Sequence, residues 1–77
     1  MKPSKEAIAA AIGLLEREAV SHTENAESIR NSKASLNPNV VDHAELDAMG
    51  RWLDARASQY NEAADYLRWV ERRADET

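Results

Sequence analysis

Residues 8–36 read IAAAIGLLEREAVSHTENAESIRNSKASL, and in them Ile8, Ile12, Leu15, Ala19, His22, Ala26, Ile29, Lys33 and Leu36 follow one another at intervals of four, three, four, three. That alternation keeps one seam of an α-helix turned toward a partner helix. A second series, Leu46, Met49, Leu53, Arg56, Tyr60, Ala63, Leu67 and Val70, runs three, four, three, four. Between the two lies Asn37-Pro38-Asn39, a turn signal. Folding the chain back there brings the seams into register, with Ile8 opposite Val70, Leu15 opposite Ala63, His22 opposite Arg56 and Ile29 opposite Met49. The expected fold is all-α, an antiparallel two-helix hairpin with coiled-coil-like packing.

Working outward, the boundaries follow from capping chemistry. Ser4 is the expected N-cap of helix one, with Glu6 in the first turn against the positive end of the helix dipole. The residue before Pro38 is biased out of the α region, so helix one is expected over about 5–36 and a turn over 37–42. Asp42 with Glu45 reads as a capping box, and Val41 with Leu46 as its hydrophobic staple, so helix two is expected over about 43–73. Residues 74–77 are expected to fray. Ser21-x-x-Glu24 is also a capping box, which leaves as an alternative a three-helix bundle with helix one broken near Ser21. Against that break, no glycine or proline lies between Ala19 and Leu36, and the seam crosses Ser21 in phase.

Seventy-seven residues make a single helical domain, 1–77, with a thin core, because a chain this short buries only about 60–65% of the surface it exposes when unfolded. There is no cysteine, which removes disulfides and thiolate metal sites as supports and leaves self-association as the usual remedy. Charged residues make up 31% of the chain, with both signs interspersed and a net charge of −4, the pattern of a soluble acidic protein rather than a nucleic-acid binder. No apolar run approaches the ~20 residues of a bilayer span and no signal-peptide core follows Met1-Lys2-Pro3-Ser4-Lys5, so no membrane association is expected and a cytoplasmic location is the default expectation.

Helix two has a second stripe that the hairpin seam does not use: Trp52, Ala55, Gln59, Glu62, Tyr66 and Trp69. On helix one Ala7, Ala11 and Leu14 form a matching stripe at the open end. Two apolar stripes on one helix are more than a single neighbour can cover. Trp52, Ala55, Tyr66, Trp69, Leu14, Ala11 and Ala7 are therefore the candidate interface, either laid over the edge of the two-helix core or anchoring another chain. With a second copy as that chain, a two-fold axis gives a homodimeric four-helix bundle. Midway along the seam, His22 and Arg56 form a candidate polar core layer that fixes register.

Catalytic patterns are wanting. Glu24-x-x-Glu27 and Glu62-x-x-Asp65 resemble the acidic pairs with which all-α nucleotide pyrophosphohydrolases hold magnesium, but the hairpin register sets them about three to four helical turns apart. His22 lies mid-helix and His43 beside the turn, so the two cannot share one zinc, and Gly13 and Gly50 form no phosphate loop. No serine has a partner base. Arg68, Arg72 and Arg73, and Arg51 and Arg56 beside Trp52, alternate with Asp47, Asp54, Asp65 and Glu71, the pattern of a solvated face. In outline the hairpin resembles small secreted hairpins of the WXG type, yet Asn37-Pro38-Asn39 stands where their Trp-x-Gly would, and no family is assigned.

The sequence thus predicts a protein-interaction or oligomerisation module with no catalytic, cofactor or metal site, whose first partner is itself and whose second is at most one other protein. The alternative is a small regulator or inhibitor that binds a larger enzyme or nucleic-acid machine through its aromatic stripe or acidic faces.

Overall fold

The computed structural model describes residues 4–39 and 42–75, and among them holds two helices packed against each other and no strand. Helix α1 spans Lys5–Ser35 and helix α2 spans His43–Asp75. The hairpin is a rod of 60 × 18 × 15 Å. α1 runs unbroken through Ser21, so the three-helix alternative does not hold. Thr23, one of the weak helix formers there, returns its hydroxyl to the Ala19 carbonyl at 3.0 Å and remains inside the helix. α2 continues two residues past its expected end, to Asp75, while Glu76 and Thr77 lie outside the described residues.

The ends are capped by short polar side chains. Ser4 Oγ accepts the Ala7 N–H at 3.1 Å, and Asp42 Oδ1 accepts those of Ala44 at 2.9 Å and Glu45 at 3.4 Å. Val41, half of the expected staple, lies outside the described residues. In the turn, Asn37 Oδ1 accepts the Asn39 N–H at 2.9 Å. The His43 ring donates from Nε2 to the Leu36 carbonyl at 3.1 Å, tying the start of α2 to the end of α1.

The seam of α1 is the expected one: Ile8, Ile12, Ala19 and Ala26 are buried, and Leu15, His22, Ile29 and Lys33 half-buried. The seam of α2 differs by a rotation. Leu46, Leu53, Tyr60, Leu67 and Val70 are half-buried as expected, but Met49, Arg56 and Ala63 are exposed, and the inward positions belong to Gly50, Ala57 and Ala64. Those three are spaced by seven and are all buried. The reason is steric. The methyl groups of Ala57 and Ala64 let the helices approach and bury the larger residues between, whereas Arg56 turned inward would prop them apart; Gly50 lies beneath the Arg30 side chain, which a Cβ there would meet at ordinary contact distance. Leu15 accordingly packs with Leu67 and Val70 against a cluster of Ile8, Ile12 and Ala64.

Two stability predictions follow from this packing. A methyl group at Gly13 meets nothing within 4 Å. Gly13→Ala therefore stabilises the hairpin by about 1 kcal/mol, a rise of about 4–8 °C in thermal midpoint for a chain of this size. Ala64 is 0% exposed, so Ala64→Leu overpacks the seam and costs about 1–3 kcal/mol, whereas Ala63→Leu, on the exposed side, costs no more than about 0.5 kcal/mol. Urea unfolding of the pair tests the rotation, since the opposite order of stabilities would place Ala63 inward.

Candidate interaction surface

The seam divides the rod into two flanks of different chemistry. On one, the helices are joined by ion pairs: Glu16 with Arg68 at 2.6 Å, Arg30 with Asp54, and Lys33 with Asp47 at 2.6 Å. These residues fall one position off the seam on each helix or, for Lys33, on the seam itself, and they repeat with it. Asp47, Asp54 and Arg68 share one row of α2, and Glu16 and Arg30 one row of α1. Arg68 also bonds Asp65 within α2 at 3.0 Å. All are at least a third exposed, so each pair contributes little stability by itself, but together they fix which sides of the helices meet.

Charge leaves its mark on two of these groups. The hydrogen bond from Lys33 holds the Asp47 carboxyl below its ordinary range; desolvation acts against it, and the charges of Lys33, Arg51 and His43 act with it. The hydrogen bond to Glu16 raises the proton affinity of Arg68 further.

The other flank exposes aromatic and apolar side chains among polar ones. Trp52 is 59% exposed, Tyr66 63%, Trp69 48% and Leu14 56%. Ala7 and Ala55 are exposed and Ala11 half-buried. Fold-back thus leaves most of the candidate interface uncovered within one chain. Its aromatic residues are ordered by one another and by arginine. Tyr66 stacks on Trp69 with ring centres 5.9 Å apart, and the Arg73 guanidinium sits 5.1 Å from the Trp69 ring centre.

The polar layer is only half of what the sequence suggested. His22 is in the seam, half-buried, its Nδ1–H donating to the Glu18 carbonyl at 2.7 Å and its ring lying between Tyr60 at 5.2 Å and Trp52 at 6.3 Å. Arg56 is not in the core. It is exposed, spread over the Trp52 and Tyr60 rings at 5.7 and 5.5 Å and donating to Gln59 Oε1 at 3.3 Å. The one-residue rotation of α2 explains the change, since it carries Arg56 outward and lets aromatic rings flank His22. The signal for it lay in Gly50, Ala57 and Ala64, whose spacing by seven matches that of Ala19 and Ala26.

Glu24, Glu27, Glu62 and Asp65 are exposed, and among the described residues no three His, Asp or Glu side chains converge as metal ligands. Among the same residues, no helix is long and apolar enough to cross a membrane. Comparison with protein-family models, with curated proteins and with solved structures gives no match.

The Lys33–Asp47 pair makes a pH prediction. A carboxyl whose folded proton affinity is lowered stabilises the fold above its unfolded value, about pH 4, and that contribution disappears as the pH falls through the lower folded value. Thermal midpoints measured from pH 5 down to about pH 2 should therefore fall less steeply in Asp47→Asn than in the natural chain; parallel slopes would show that the pair makes no contribution.

Proposed function

We propose that the chain is a non-catalytic helical interaction module whose working form is a homodimer, two hairpins joined flank to flank as a four-helix bundle. The observation that carries this reading is the mismatch between what is buried and what is left out. Among the described residues, the buried hydrophobic side chains are Ile8, Ile12 and four alanines, while two tryptophans, a tyrosine and a leucine remain about half exposed or more. Aromatic side chains bury the largest apolar area of any residue and dominate interface energetics, so the larger part of the burial on offer lies between chains. The size also fits. A rod 60 Å long and 18 Å wide offers on the order of 1,000 Å² per flank, against about 800 Å² per partner in a standard stable interface.

Supporting this, one flank is closed by interhelical ion pairs and the other presents the aromatic row, so only one side invites association. Light scattering combined with tryptophan fluorescence tests the reading: a dimer with blue-shifted emission from Trp52 and Trp69 is expected. Tyr66→Ala with Trp69→Ala should reduce it to a monomer of unchanged helicity. A natural chain that is monomeric, with red-shifted emission, would instead leave the stripe for a larger protein target, the mode of a small regulator or inhibitor.

A further inference from the structure

Residues seven apart share a face of α2, and one such row reads Glu45, Trp52, Gln59, Tyr66, Arg73, all five exposed. The row is chemically palindromic about its centre. Seven residues either side of Gln59 stand Trp52 and Tyr66, both aromatic; fourteen residues either side stand Glu45 and Arg73, of opposite charge.

We propose that the occupant of this flank is a second copy of the chain running antiparallel to the first, with α2 lying on α2 and the two-fold axis at Gln59. This rests on the homodimer reading above and specifies its geometry. A perpendicular two-fold axis makes a surface meet its own reverse, so residue pairs equidistant from the axis come together twice. Each Trp52 then lies on the other copy's Tyr66 and each Glu45 meets the other copy's Arg73. The two Gln59 amides, each able to donate and to accept, face one another at the centre. Arg73 is already held at that end of the row by the Trp69 ring.

The parallel alternative, with both turns at one end, gathers the two Glu45 carboxylates at that end and the two Arg73 guanidinium groups at the other. Like charges brought together in this way disfavour an arrangement, and opposite charges set register and orientation. Charge complementarity along α2 therefore selects the antiparallel dimer.

The chain has no cysteine, so Ala44→Cys introduces a single spin label, at an exposed position in the first turn of α2. Ala44 lies fifteen residues from Gln59. In the antiparallel dimer the two labels are separated by thirty residues of helical rise, on the order of 45 Å, and in a parallel dimer by the bundle width alone, under about 30 Å. Light scattering on the same sample reports the mass. A dimer with the long distance supports the proposal. A dimer with the short distance overturns this geometry and leaves the homodimer reading standing, whereas a monomer overturns both.

Charge reversal gives an independent check through the dimer dissociation constant, with circular dichroism of the dilute chain reporting the fold. Glu45→Arg and Arg73→Glu should each weaken dimerisation about tenfold, and the two together in one chain should restore it. Single reversals without effect, or a double variant that fails to recover while retaining its helicity, would overturn the proposal.

Discussion

The structure depends on how closely two helical backbones can approach. Gly50, Ala57 and Ala64 on α2, with Ala19 and Ala26 on α1, set small groups at the seam at heptad intervals. Each alanine methyl buries little area, of the order of 1 kcal/mol at most. Its effect is indirect, because the small groups allow Ile8, Ile12, Leu15, Leu67 and Val70 to reach one another. The rotation of α2, the exposure of Met49 and Arg56, and the position of the ion pairs all derive from that one steric requirement.

Once the rotation is fixed, the division of the surface follows. Turning Gly50, Ala57 and Ala64 inward moves Asp47, Asp54 and Arg68 to one border of the seam, where α1 offers Lys33, Arg30 and Glu16. The same turn moves Met49, Arg56 and Ala63 to the other border, next to Trp52 and Tyr66. One flank can satisfy its charges within the chain. The other has apolar area that no part of the described chain covers, and that asymmetry supports association through a single side.

Much of this was legible in the sequence. The intervals of α1, the turn at Asn37-Pro38-Asn39 and the caps at Ser4 and Asp42 define an antiparallel hairpin, because each reflects a local rule with few competing solutions. The exposed aromatic row was legible for the same reason. The rotation of α2 was not. Hydrophobic periodicity weights a residue by its apolar size, so Met49 outscores Gly50 and the adjacent Ala63 and Ala64 are indistinguishable, while close packing rewards the smaller group. The half-polar layer at His22 was misread with it, since Arg56 shares Met49's row and left the seam together with it.

The placement of strong and weak contacts along the rod also bears on how the chain finds its fold. Near the turn, Lys33 and Asp47 are separated by only fourteen residues, and the His43 to Leu36 bond spans seven. Closing so short a loop is fast, and every further helical turn extends a zipper whose ends are already near each other. The buried cluster of Ile8, Ile12 and Ala64, with Leu15, Leu67 and Val70 packed on it, sits at the far end, where the contacts are most distant in sequence. The rod thus places its shortest-range polar contacts at the turn and its buried hydrophobic cluster at the open end, where loop closure costs most in chain entropy.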